Sequence, residues 1–270
     1  MKLIFTNVNP NKKFNRERSV LIKLQIDNCI ELGWDVKDII LATNFNYEYR
    51  GVKAYLVGDE NYCGIDDDRY AFKVSTHILT VGTLLKEGII RKGLYWYHDL
   101  DAYQEYPIFE KELGLENVDL GLTDYGWSSK WNLGSFFFKE NAKDILWLLK
   151  NTILEKKIPD ERVLTSLINQ GKVNPNRYKR LNITYNFGMR HIEKSYPLAD
   201  KPLKVIHFHP LYKDPNIPET TMNIFRYGKN PIGKPLMTER LMKLFDKYGF
   251  GYPYGISASY RQFMEAISYD

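Results

Sequence analysis

Apolar positions along this chain fall into two rhythms. Near-continuous apolar runs, often rich in β-branched or aromatic residues, predict strands over 2–8, 38–45, 52–57, 94–98, 118–123, 134–139 and 203–208. Between them the spacing lengthens to that of a helix. Ile22, Ile26, Cys29 and Ile30 share one helical face, with Gly33 as the stop. Ala71, Val74, Ile78, Val81 and Leu85 form a second stripe that ends near Gly88. Residues 141–156, 160–170 and 235–248 predict three further helices, the middle one opened by Pro159 and closed by Gly171. Strands that alternate with helices predict an α/β fold with a central, mostly parallel sheet and helices on both faces. In such sheets ligands bind where the strands end at their carboxyl sides.

The segment Leu94-Tyr95-Trp96-Tyr97-His98-Asp99-Leu100-Asp101 places two carboxylates at one such end. Side chains two apart on a strand share a face, so Asp99 and Asp101 can grip one divalent cation through hard oxygen ligands. The spacing alone is weak, because the chain holds 17 aspartates and roughly one such pair arises by chance. A second pair, Asp66 and Asp68, reads as the acidic first turn of a helix. Thr6-Asn7 and Asn44 stand at two other strand ends.

Composition narrows the class. At 270 residues, 44% hydrophobic and 26% charged, the chain suits one large globular domain or slightly more. Two cysteines, Cys29 and Cys63, exclude a disulfide scaffold and fit a reducing compartment. No apolar run approaches the ~20 residues that cross a membrane, and the first residues turn polar too soon for a signal peptide. A cytoplasmic location is expected. Charge is divided unevenly. Residues 1–170 carry 22 Lys+Arg against 25 Asp+Glu, and residues 171–270 carry 16 against 8. A basic C-terminal third suggests a polyanionic partner.

Four segments, in order, resemble those of nucleotide-sugar glycosyltransferases of the GT-A fold. The likeness is to the retaining group of glycogenin-like and bacterial galactosyltransferase-like enzymes. They are Asp99-Leu100-Asp101, Trp131-Asn132-Leu133-Gly134-Ser135-Phe136, Pro159-Asp160-Glu161-Arg162 and His207-Phe208-His209-Pro210-Leu211-Tyr212-Lys213. The resemblance implies a catalytic domain over residues 1–215 and a basic helical extension over 216–270. It implies Mn2+, or Mg2+, held by Asp99, Asp101 and His207, with a nucleoside-diphosphate-sugar, by default a UDP-sugar, as co-substrate. Thr6, Asn7, Asn44, Lys73, Asn132, Gly134, His209 and Lys213 would line the donor. Asp160, Glu161 and Asp124 would act at the reacting centre. The chain departs from the pattern at Pro210, where glycine is usual, at Asp214, where proline follows the lysine, and at Glu161-Arg162, where Gln-Asp is usual. His77 and His191 have no motif around them and read as structural.

The segments 18–28 and 95–104 also resemble sequences of phage-encoded glycosyltransferases. That likeness implies 5-hydroxymethylpyrimidine in phage DNA as the acceptor, in the cytoplasm of an infected host. Trp127, Trp131, Arg177, Lys179 and Arg180 would then meet the acceptor, the two tryptophans as stacking platforms for a flipped base. Two other acceptors compete, a cell-surface glycan and a lipid-linked sugar. A non-catalytic nucleotide- or DNA-binding module on the same fold is a third reading. A two-metal nuclease would need further acids near the pair, for which Asp119 and Asp124 are the candidates.

Overall fold

The computed structural model describes residues 1–8, 16–61, 75–188, 192–208 and 236–248, with side chains of the first helix described from Ser19 onward. Strand β1 (Lys2–Asn7) is buried from Leu3 to Asn7 because it lies in the middle of a sheet covered on both faces. Helix α1 (Arg16–Glu31) follows and ends on Gly33, whose φ of +87° closes the turn that only glycine adopts without strain. Strand β2 (Ile39–Thr43) runs parallel to β1, with Leu3 opposite Ile39 and Asn7 opposite Thr43.

The run expected at 52–57 is two short strands rather than one. Strand β3 (Glu48–Tyr49) and β4 (Val52–Lys53) form a hairpin, and β5 (Tyr55–Leu56) joins the main sheet beside β2. Helix α2 (Thr76–Lys86) leads to β6 (Leu94–His98), which pairs with β1. A turn carrying both aspartates leads into β7 (Ala102–Gln104) and then α3 (Glu110–Leu113). Strands β8 (Leu120–Asp124) and β9 (Trp131–Lys139), helices α4 (Lys143–Lys156) and α5 (Asp160–Asn169), and strand β10 (Tyr178–Arg180) complete the main layers. Last come β11 (Phe187–Gly188), α6 (Ile192–Ser195), β12 (Val205–His207) and α7 (Glu239–Lys247).

The seven-stranded sheet has the order β10-β8-β9-β6-β1-β2-β5. Only β9 runs against the others, between β6 and β8. Its amino end therefore lies beside the carboxyl ends of its neighbours, with His98 opposite Ser135 and Thr123 opposite Asn132. A smaller sheet, β11-β12-β7, stands at this same end, where β12 runs antiparallel to β7 with His207 opposite Ala102.

Alternation along β6 divides the core. Tyr95 and Tyr97 pack toward α2 and α4, with Ile78, Val81, Ile145 and Leu149. Trp96 points to the opposite face, where Ile22, Ile26 and Cys29 of α1 cover Phe5 and Leu41. Helix α1 is apolar on a second side as well. Val20, Leu21 and Leu24 meet Leu241, Leu244 and Phe245 of α7, and Phe245 stacks edge-on against Tyr103 with ring centroids 4.9 Å apart. Helix α7 thus packs on the main sheet layer through α1. The boundary expected at 215/216 falls outside the described residues.

Candidate metal and donor site

Three chain segments meet at the carboxyl end of β6. The Asp99 amide donates to the Gly134 carbonyl at 2.8 Å, and the Ala102 amide donates to the Asp99 carbonyl at 3.0 Å. These bonds turn the chain so that both aspartates face one side. Pairing of β7 with β12 then carries His207 to the pair, and the Phe208 amide donates to the Asp101 carbonyl at 2.8 Å. His207 Nε2 lies 3.2 Å from Asp101 Oδ1 and 3.7 Å from Asp99 Oδ2. One ligand atom from each of the three residues lies within 4.8 Å of the others.

The residues fit a divalent cation. Two carboxylates and an imidazole suit Mn2+, or Mg2+ with phosphates completing the shell. Gly134 supplies the room, since an added Cβ would overlap the His207 ring and come within 2.9 Å of Asp99 Oδ2. The electrostatics agree. Burial raises the Asp99 pKa, and the neighbouring Asp101 adds to the rise. Burial alone would lower that of His207, but the Asp101 and Asp99 carboxylates outweigh it and hold the pKa above its ordinary value. Two acids thus crowd one place beside an imidazole.

His98 is close by but is not a ligand. Its Nδ1 sits 2.8 Å from the Asp99 carbonyl, its ring lies between Phe5 and Trp96, and burial pushes its pKa down to about 4.

The donor side is partly assembled. Tyr97 donates its hydroxyl to Asp99 Oδ1 at 2.7 Å and lies 3.5 Å from Thr6 Oγ1. Asn7 Nδ2 is buried and has no hydrogen-bond partner among the described residues, as expected of a donor aimed at a ligand. Asn44 is also at its strand end, where it donates to Asp59 Oδ1 at 2.7 Å. Asn132 Oδ1 accepts from the Gly134 amide at 2.9 Å, which shapes the strand edge next to Asp99. Lys73, His209, Lys213, and the departures Pro210 and Asp214, lie outside the described residues, as do His191, Asp66 and Asp68.

Helix α5 brings the next two acids to this end of the sheet. Asp160 is buried, and its Oδ2 stands 2.9 Å from His77 Nε2, off the axis of a ring hydrogen bond, as an ion pair. His77, expected to be structural, is buried and internally partnered. Its ring lies flat on Tyr97, with centroids 5.0 Å apart, and joins Asp160 to the hydroxyl that holds Asp99. Burial opposes its protonation, yet the Asp160 charge raises its pKa. Glu161 has both carboxyl oxygens within 2.9 Å of Tyr125 Oη and accepts from the Leu133 amide at 3.4 Å. Burial, with the nearby Asp160 charge, pushes its pKa up to about 7.

The acceptor-side residues separate into two groups. Asp124 pairs with Arg180 and accepts from the Gly126 amide at 2.7 Å. The Arg180 guanidinium also lies over the Trp131 ring, 4.3 Å from its centroid. Trp131 is therefore buried under a cation, whereas Trp127, 38% exposed, is the ring that faces solvent. Arg177 stands at the amino end of β8, the far end from the metal cluster, where it bonds Asp119 at 2.7 Å and Asp144 at 2.5 Å. Lys179 donates to the carbonyls of Leu113 and Gly114 at 2.9 and 3.3 Å. Asp119, one of the extra acids a nuclease would require, is thus committed to Arg177 and remote from Asp99.

Asn186, Tyr97, Tyr125 and His77 complete the site without any motif to mark them. Each reaches it through tertiary packing, so only the buried polar character of Asn186 and the aromatic density of β6 hinted at them.

No protein-family model and no curated protein matches the chain. Solved structures do. The glycosyltransferase GlyE of Streptococcus pneumoniae TIGR4 superposes with a TM-score of 0.50 at 11% identity, over 95% of this chain and 66% of that one. The galactosyltransferase LgtC, in complex with donor and acceptor sugar analogs, gives 0.47 at 14% identity over 79% and 90% of the two chains. A glycosyltransferase involved in glycosylation of the major capsid of PBCV-1 gives 0.48 at 12% over 77% and 93%. No helix among the described residues is long and apolar enough to cross a membrane. With its mostly parallel sheet, its one reversed strand and an Asp-Asp-His cluster able to bind a metal at the strand ends, the chain has the GT-A glycosyltransferase fold.

Proposed function

We propose that this chain is a metal-dependent glycosyltransferase that moves a sugar from a nucleoside-diphosphate-sugar to a hydroxyl acceptor. One observation carries the reading. Asp99, Asp101 and His207 converge where β6 and β12 end, beside the acids of α5. A divalent cation bound there would neutralise charge on a departing diphosphate. The chain's own residues do the rest. Tyr97 and Gly134 set the carboxylates, Asn7 would offer a buried amide to the nucleotide, and Asn132 and Asp160 would hydrogen-bond sugar hydroxyls. Glu161, close to neutrality and held by Tyr125, can keep or release a proton near the reacting carbon. A uridine nucleotide is the expected donor, and Lys213 the expected second charge on its phosphates.

For the acceptor, the 16 Lys+Arg against 8 Asp+Glu in residues 171–270 support a polyanion such as DNA, and the resemblance to phage-encoded enzymes implies a 5-hydroxymethylpyrimidine in it. The acceptor contacts would then centre on the exposed Trp127 and on Arg180 rather than on Arg177, at the far end of β8, and Lys179, whose ammonium is taken by two backbone carbonyls. Such a base supplies the hydroxyl nucleophile that ordinary bases lack.

The test is a panel of nucleoside-diphosphate-sugars with Mn2+ or Mg2+, against duplex DNA with and without hydroxymethylated bases and against glycan acceptors. Release of nucleoside diphosphate that requires donor and metal supports the enzyme. Full activity in a chelator excludes the metal role. Transfer to a glycan, without DNA affinity at low salt, excludes the DNA acceptor.

A further inference from the structure

We infer that Asn186 is a positioning residue that fixes the tautomer and ring angle of His207, so that Nε2 presents its lone pair to the cation place between Asp99 and Asp101. Asn186 closes the turn at 183–186 and is 1% exposed. Its amide makes three buried contacts. Nδ2 donates to Thr123 Oγ1 at 3.0 Å and to the Asn132 carbonyl at 3.3 Å, and Oδ1 lies 2.9 Å from His207 Nδ1.

These contacts leave one arrangement of hydrogens. The Asn132 carbonyl can only accept, so the group facing it is the NH2. The opposite atom of the amide is then the oxygen, and the ring nitrogen that meets it must carry the hydrogen. With Nδ1 protonated, a neutral His207 keeps its lone pair on Nε2, the atom 3.2 Å from Asp101 Oδ1. The other tautomer would set two lone pairs against each other at Nδ1 and point a hydrogen into the place the cation takes.

The same amide ties the site to the sheet. Asn132 and Thr123 face each other across β9 and β8. The Asn132 side chain holds the Gly134 amide, and Gly134 is the residue whose missing Cβ admits the His207 ring. One buried side chain thus locks β8, β9 and β12 to a common frame. A partner on the second nitrogen of a ligating histidine typically changes metal affinity by ~10–100-fold.

The inference rests on the metal reading of the cluster, and the experiment separates the two. Titration calorimetry with Mn2+ alone is run on the full chain, wild type, Asn186→Leu and Asn186→Asp. Nitrogen-15 NMR of His207 is recorded without metal, at a pH where the ring is neutral. The wild type should show the Nδ1–H signature and bind metal. Asn186→Leu keeps the volume but removes the acceptor. It should lose that signature and bind Mn2+ ~10–100-fold more weakly. Asn186→Asp restores an acceptor for Nδ1–H but sets an oxygen against the Asn132 carbonyl, so it should recover the signature and bind Mn2+ more tightly than Asn186→Leu, though below wild type. An Nε2–H signature in the wild type overturns the inference even if no variant folds. Undiminished Mn2+ binding by Asn186→Leu overturns it too. A wild type that carries the Nδ1–H signature but binds no metal overturns the metal reading instead, and with it the purpose assigned to Asn186.

Discussion

Two acid clusters in this molecule are built oppositely. On α1, Asp27 is 1% exposed and is met by Arg50 at 2.8 Å, Lys247 at 2.6 Å and the Tyr248 hydroxyl at 2.9 Å. Burial alone would raise its pKa, but these three partners outweigh that and hold it below the usual range. The cluster is complete within the chain. It clips the last helix and the β3–β4 hairpin to α1. At the end of β6 the chain instead gathers two aspartates around His207, and burial with the neighbouring Asp101 raises the Asp99 pKa. A fold that surrounds one acid with cations and sets two acids against each other elsewhere marks the second place as one able to bind a metal ion.

The contrast is broken most sharply by Asp101→Asn. The change keeps the shape and removes one hard ligand. Loss of metal stabilisation worth several kcal/mol should lower donor-dependent release of nucleoside diphosphate by ~10³-fold, with the melting temperature nearly unchanged. A variant with normal rates would show that the cluster is structural, like the one at Asp27.

Glu161 tests how far the site extends beyond the metal. Its carboxyl ionises at about 7, so the charged fraction grows as pH rises through neutrality. If the ionised form acts, the wild-type rate should climb between pH 6 and 8, and Glu161→Gln should flatten the profile and fall ~10²-fold below wild type at pH 8. A profile that is the same in both proteins would remove Glu161 from the reaction.

The reverse prediction applies to the first cluster. Asp27→Ala removes charge-assisted bonds to two cations that are themselves half in water and to the buried Tyr248 hydroxyl, and should destabilise the fold by ~2–3 kcal/mol in chemical denaturation. Catalysis at low temperature should persist. Because the folded pKa is depressed, the wild-type advantage is present above the unfolded value near 3.8 and disappears as pH falls through the folded one. Equal stability of variant and wild type at pH 7 would show that the clip contributes nothing.

The two clusters also differ in how readable they are. Asp99 and Asp101 are adjacent on one strand end, and His207 closes an apolar strand, so local spacing points to all three. Asp27 meets Lys247 and Tyr248 from the other end of the chain, and no local pattern announces it. The fold shows the same division. Long apolar runs mark β1, β2 and β6, and helical stripes mark α1, α2 and α4. Strand β7 has three residues just past the aspartate turn, too few for a period, yet it delivers His207 through its register with β12. The reversal of β9 depends on tertiary pairing and cannot be seen in its composition. Charge counting groups Arg177 and Lys179 with solvent-facing cations, because composition does not tell an exposed charge from one bound to a carbonyl or a buried acid. Asn186 and His77 are hidden for the same reason, since their roles come from what the fold places against them.

Another buried carboxylate, Glu105, gives the smallest test. Glu105, just after β7, is 2% exposed; its Oε2 accepts from the Thr238 amide at 2.9 Å and its Oε1 has no partner among the described residues. Burial, only partly offset by the Thr238 bonds and by Arg240, pushes its pKa up to about 7. In the unfolded chain the group ionises near 4.5, so between those values folding takes up a proton. Its stabilising contribution is full below about 4.5 and is lost as pH rises through 7. Above that range the fold must hold a charge facing one backbone N–H. Glu105→Gln cannot ionise. Between pH 5.5 and 8 the wild type should therefore lose ~1–2 kcal/mol relative to the variant in denaturation measured at both values. A constant difference across that range would mean that Glu105 finds a cation when ionised, which would place it with Asp27 rather than with the acids at the end of β6.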